Sequence, residues 1–154
     1  FANGSDITAR RHMLEGSLLA GMAFANAGVT AVHAFAYPIG AEYHIPHGVA
    51  NSIMLPPVME FNMLGNLKKF AELADLFGEV TVGKTTREKA LAAVEALRIL
   101  SRDLQIPAHL SDFGVKDADI PNLAAGVMKV TRLLANNPRE MTQADAEAIY
   151  RQML

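Results

Sequence analysis

The sequence has no cysteine and no tryptophan among its 154 residues. Without thiols there is no disulfide, no thiolate metal site and no cysteine nucleophile, an absence that fits a reducing compartment and makes the cytoplasm the expected location. Charge is also scarce and balanced, with 14 basic against 16 acidic side chains and a net charge of -2. A chain without a basic excess offers a polyanion no electrostatic footprint, so no nucleic acid is expected as a partner. Two further things are missing: long two-residue alternation, which a half-buried strand would show, and a positively charged leader ahead of an apolar run. The first residue is Phe1 rather than Met, and the expectation is a piece of something longer.

Ser17 to Ile39 is the most apolar stretch, long enough on paper to cross a bilayer at roughly 20 residues. Asn26, Gly28, Thr30, His33 and Pro38 interrupt it, and two buried helices joined at Gly28 explain it better than a membrane span. No membrane partner is expected.

What is present is apolar content of 51%, sufficient for a core, carried on three- and four-residue spacing that predicts an all-α fold. Asp6 predicts the cap of a helix that carries Leu14, Leu18 and Met22 and stops at Gly28. Its small residues Gly16, Ala20, Gly21 and Ala25 predict close approach of neighbouring backbones and a central position. A second helix is expected from Val29 to a reversal at Pro38-Ile39-Gly40, and a third from near His47 with a break or kink at Pro56-Pro57. Leu67, Phe70, Leu73, Ala74 and Phe77 form a stripe ending at Gly78. Thr85 with Glu88, and Thr142 with Asp145, match capping boxes for two later helices. Between them, Asp119 and Pro121 start a helix with Leu123, Val127 and Val130. Residues 1–154 therefore read as one bundle-like helical domain.

Five histidines occur, and three of them, His33, His44 and His47, fall in one short stretch. Imidazole is a common ligand of first-row metals, and a reversal after the second helix brings His33 beside His47. The competing reading is a polar cleft in which these rings simply hydrogen-bond. Two histidines alone would hold a metal weakly, since stable sites use three or four protein groups. No Asp is followed by His four residues later, the spacing that would put a second pair on one helix face. Glu42 and His44 are the nearby candidates. His12 and His109 read as surface groups.

The stretch GMAFANAGVTAVHAFAYPIGAEYHIPHGVANSIMLPPVMEFN, residues 21–62, resembles the second signature region of the iron-containing (group III) alcohol dehydrogenases. The similarity continues through RRHMLEGSLLAG, IPAHLSDFGV and NNPREMTQADAEAIYRQML. It implies a helical domain like the C-terminal domain of the dehydroquinate synthase-like fold, and an oxidoreductase that moves hydride between NAD or NADP and a small alcohol or aldehyde. It also implies a divalent metal, Fe²⁺ or Zn²⁺, held by one Asp and three His, of which His33 and His47 match two. The other two ligands, in a D-x-x-x-H helix, and the Rossmann-like NAD(P)-binding domain would lie outside these residues. No G-x-G-x-x-G occurs here. Many members of the family have His where Tyr37 stands. Tyr37 is therefore a candidate for relaying a proton or orienting substrate, although an ordinary phenol near pKa 10 is a poor base at neutral pH and packing or orientation suits it better. The resemblance places Phe24 near the substrate pocket, against its plainer reading as a core aromatic, and leaves His44 a further pocket candidate. A homo-oligomer is expected. The alternatives are a catalytically inactive helical fragment or interaction module, and a related zinc glycerol dehydrogenase or dehydroquinate-synthase-like enzyme; HIPHGVANSIMLPPVMEFN favours the iron branch.

Overall fold

A computed structural model describes residues 1–154, all of them in helices and the turns that join them, with no strand. The first helix, α1 (Ile7–Ala27), begins where the Asp6 carboxylate accepts the Ala9 N–H at 2.9 Å. It ends at Gly28, whose φ of 73° lies in the left-handed region open to glycine. The chain axis then turns by 104° into α2 (Ala31–Tyr43). No single helix is long and apolar enough to cross a membrane; only α1 and α2 taken together across that bend approach the requirement.

The sequence predicts a central, buried α1, and the structure differs. Every residue of α1 is exposed, including Leu14 at 72%. Gly16 and Gly21 have nothing within 4 Å of the position a Cβ would take, so no neighbouring backbone uses them. The physical reason is that burial needs a receiving surface. The later helices satisfy their apolar faces on one another and leave none for α1.

α2 also departs from expectation, because it continues through Pro38 for more than a turn. Proline inside a helix removes one backbone bond and crowds the preceding carbonyl. Here its ring sits against Gly126, where a Cβ would lie 2.9 Å from Pro38 Cγ. The reversal comes instead at His44, with φ of 55°. The returning backbone packs beside Gly40, where a Cβ would make an ordinary contact of 3.4 Å with the Ile45 carbonyl oxygen.

α3 (His47–Met63) is one continuous helix through Pro56 and Pro57, both buried, so of the expected break or kink the break does not occur. It buries Ala50, Ile53, Met54 and Val58. The turn after it depends on Gly65, because a Cβ would stand 2.4 Å from the Pro138 carbonyl oxygen. α4 (Leu67–Leu76), capped by Asn66, and α5 (Thr86–Asp103), opened by the expected Thr85–Glu88 box, share a small core of Phe70, Ala90 and Val94 with Met63. Two 3-10 turns at Leu110–Phe113 and Asp117–Asp119 lead to α6 (Ile120–Met128), the one-turn α7 (Thr131–Leu134) and α8 (Gln143–Arg151).

The main core joins α2, α3, α6 and α8 through Phe35, Ile39, Met54, Leu123, Val127, Ile149 and Tyr150. The Phe35 and Tyr150 rings lie 4.8 Å apart, and the buried Tyr150 hydroxyl donates to the Phe35 carbonyl at 2.8 Å. Its polar tip is thus satisfied inside an apolar layer. Asn62 is the buried polar residue of the core. It exchanges two amide hydrogen bonds with Asn137, at 2.8 and 2.7 Å, which ties the end of α3 to the loop before α8. Arg139 clamps the same corner, donating to the Phe61 carbonyl and lying 3.8 Å from the centre of the Phe61 ring.

Candidate functional site

His33 and Tyr37 are four residues apart on α2 and therefore share a face. His47 opens α3. The backbone of Ile45 passes close to Gly40, so the chain returns along α2 and delivers His47 to that face. The His33 and His47 ring centroids lie 5.3 Å apart, at an interplanar angle of 58°. Tyr37 stacks on His47 at 6.1 Å and meets His33 edge-on at 6.5 Å. Three aromatic rings thus converge, although the bend that brings them together is at His44 and not at Pro38-Gly40.

Burial, reinforced by the neighbouring His47, holds the His33 imidazole below its ordinary pKa of 6.5. The neutral form of His33, the one able to donate a lone pair to a metal, is favoured accordingly. Asn51, one helical turn beyond His47, donates its amide to the His47 carbonyl at 2.9 Å, and the same amide nitrogen lies 3.0 Å from His47 Nε2. This contact limits rotation of the ring. The Asn51 Oδ1 atom is buried and has no hydrogen-bond partner.

The rings face a cleft of about 450 Å³, lined by His33, Tyr37 and His47 together with Phe24 and Gly21 from α1 and Arg132 from α7. Phe24 is 57% exposed, so the plain core reading does not describe it; it forms a wall of the cleft. A second hollow of about 420 Å³ is also lined by His33, with Thr30, Asn51 and Met59. His44 is exposed at the left-handed residue closing α2 and does not line either space. Glu42 accepts a hydrogen bond from Asn122 at 3.2 Å rather than joining the rings. His12 and His109 are exposed. Sequence reasoning missed Asn51 and Arg132. The four-residue step from His47 to Asn51 was a local signal; nothing local connects Arg132 to residues about 100 positions earlier.

The donor set can be tested against a shared divalent ion. With metal–nitrogen bonds of about 2.0–2.1 Å and ligand angles near tetrahedral, two imidazole centroids sit about 5 Å apart. The 5.3 Å separation matches. Two rings fill only half of a four-coordinate shell, and no group of three or more His, Cys, Asp or Glu side chains gathers anywhere in the chain. The residues present fit part of a metal site.

Residues 1–154 match the model of the Fe-containing alcohol dehydrogenase family, C-terminal region. The 1,3-propanediol dehydrogenase of Klebsiella pneumoniae is 45% identical over 151 residues, which is 98% of this chain and 39% of that protein. The lactaldehyde reductase of Escherichia coli (strain K12) is 42% identical over 145 residues, 94% of this chain and 38% of that protein. A crystal structure of a 1,3-propanediol oxidoreductase superimposes with a TM-score of 0.96 at 44% identity, covering 99% of this chain and 40% of that one. The chain thus spans about two fifths of the length of the relatives it matches. On the whole-length family match and these identities, the chain belongs to the Fe-containing alcohol dehydrogenase family, whose C-terminal region it represents.

Proposed function

We propose that the polypeptide carrying these residues is a metal-dependent, NAD(P)-linked alcohol dehydrogenase, and that His33 and His47 are two of its metal ligands. The observation that carries this reading is the 5.3 Å approach of the two imidazoles at the edge of a cleft with an aromatic wall. When bound, Fe²⁺ or Zn²⁺ supplies Lewis acidity toward the oxygen of an alcohol or aldehyde. Asn51 orients the His47 ring through its amide. Tyr37, packed on both imidazoles, limits their rotation and presents its hydroxyl toward the cleft's substrate as an orienting group. Phe24 excludes water from one side. The helical residues 1–154 act as the metal-carrying domain, with the remaining ligands and the nucleotide-binding domain elsewhere in a longer, homo-oligomeric chain.

In the full-length polypeptide, His33→Ala and His47→Ala should each lower bound metal, measured by elemental analysis, and lower alcohol oxidation with it. Full activity with one metal per chain in either variant would reject the assignment.

A second reading concerns the 154-residue species taken alone: a catalytically silent helical module that self-associates through α1. It is favoured by the incomplete ligand set and by the exposed apolar residues of α1. A tight one-to-one complex with Fe²⁺ or Zn²⁺ that turns over aldehyde and NAD(P)H would overturn it.

A further inference from the structure

Arg132 is the only charged side chain on the cleft that holds His33, His47, Tyr37 and Phe24. It projects from α7, whose adjacent Leu133 is fully buried in the main core and anchors that turn. No carboxylate lines the cleft. Arg132 makes no ion pair and no side-chain hydrogen bond, while Arg11, Arg98 and Arg151 pair with acidic partners and Arg139 is fixed on Phe61; of the partnerless arginines Arg87, Arg102 and Arg132, only Arg132 lines this cleft. A guanidinium left without an anion beside apolar walls has five donors to offer, in a planar fork that matches carboxylate, sulfonate or phosphate oxygens.

We infer that Arg132 selects substrates bearing an anionic group. The cleft takes a small alcohol or aldehyde whose reacting oxygen lies at the imidazole pair and whose acidic end is held by the guanidinium. The inference rests on the dehydrogenase reading for its reaction but on the cleft's own lining for its chemistry. A cleft of about 450 Å³ has room for a short acid-alcohol or acid-aldehyde. The same fork would also suit a phosphate of the nucleotide, so the experiment separates the two sources.

The full-length, metal-loaded enzyme is assayed with NAD(P)H and either succinic semialdehyde or butanal, which have the same carbon count and differ in the terminal carboxylate. The expected result is a kcat/KM ratio favouring the acid by at least about tenfold, the effect of roughly one charge-assisted hydrogen-bonded pair. Arg132→Met should bring that ratio close to one, and Arg132→Lys should restore part of it. In parallel, 4-hydroxybutyrate is titrated into metal-free enzyme by calorimetry; its affinity should fall at least tenfold in Arg132→Met. Melting temperature and metal content of both variants report folding. A wild-type enzyme indifferent to the carboxylate overturns the proposal. So does a variant that keeps the preference while its KM for NAD(P)H rises, because that assigns the guanidinium to the nucleotide. An enzyme without metal or hydride transfer would defeat the dehydrogenase reading, and the calorimetric comparison would still decide the role of Arg132.

Discussion

α1 and α8 start in the same way and end in opposite environments. Each opens on a side-chain cap, Asp6 to Ala9 and Thr142 to Asp145, and each carries apolar residues at helical spacing. α8 buries Ala146, Ile149 and Tyr150, while α1 buries nothing. The difference separates two parts of the code. Caps and periodicity decide that a segment is helical, because they act within one turn of backbone. Burial is decided by a second surface, which α6 and α2 provide for α8 and no element in these residues provides for α1. Apolar side chains also sit on more than one side of α1, with Leu14, Leu18 and Met22 on one row and Met13, Leu19 and Phe24 off it, a distribution typical of a helix covered all round.

The sharpest way to break this comparison is to truncate one side chain in each region. Phe35→Ala removes a ring packed on Tyr150 in the main core and should cost about 3–5 kcal/mol, enough to unfold a marginal domain. Leu18→Ala on α1 should change the unfolding free energy of the 154-residue chain, measured in denaturant, by less than about 0.5 kcal/mol. In the longer polypeptide, where a covering surface would exist, the same Leu18→Ala should cost about 2–5 kcal/mol. An equal cost for Leu18→Ala in both lengths would show that α1 does not await a partner.

Polar burial gives the next test. Asn137→Ala leaves the Asn62 amide buried with its partner gone, and should cost about 1–3 kcal/mol in urea unfolding. Replacing both residues with Leu should recover only part of the loss: the buried Asn62 amide is then gone, but the Arg139 carbonyl and the Ala31 N–H still lose Asn137 as a partner. On exposed α1, Asn26→Ala should be close to neutral, because its amide bonds only to the Met22 carbonyl of the same helix.

These contrasts mark what the sequence made readable. The caps of α1, α5 and α8, the stop at Gly28, the start of α3 at His47 and the approach of His33 to His47 all follow from spacing over a few residues. The continuation of α2 past Pro38 does not, because the compensation is Gly126 on α6, 88 positions away in the chain. α7 is a single turn with no cap bond of its own, and its contribution to the cleft, Arg132, depends on topology alone. The position of α1 was misjudged for a related reason: apolar pattern reports the need for a partner and not its presence. Asn51 was within reach, since a side chain four residues after a helix-opening His falls beside it.

Glycine substitutions sharpen the same point, since one chemical change should have opposite signs in the two regions. Gly126→Ala puts a Cβ 2.9 Å from Pro38 Cγ, and a proline ring inside a packed helix has little room to yield, so a loss of about 1–3 kcal/mol is expected. Gly21→Ala meets open space on α1 and should stabilise the helix through propensity by at most about 1 kcal/mol, read as a gain in helical content of the 154-residue chain.

A smaller effect than that of the core truncations is expected in the cap of α8. The Thr142 hydroxyl and backbone N–H both bond the Asp145 carboxylate, at 2.6 and 2.9 Å, and hold its pKa below the usual 3.8. A carboxyl whose folded pKa is depressed adds stability that is present above the unfolded value and is lost as pH falls through the folded one. Thr142→Ala should therefore cost about 1 kcal/mol near neutral pH. The deficit should shrink as pH drops below 3.8, because protonated Asp145 no longer distinguishes the variant from the parent through that bond. Asp6 caps α1 by accepting from the Ala9 N–H without a matching hydroxyl partner. Asp6→Ala should consequently lower the helical content of α1, read by circular dichroism, while leaving the cooperative unfolding of the α2–α8 core in place; simultaneous loss of both would mean that α1 is coupled to the core after all.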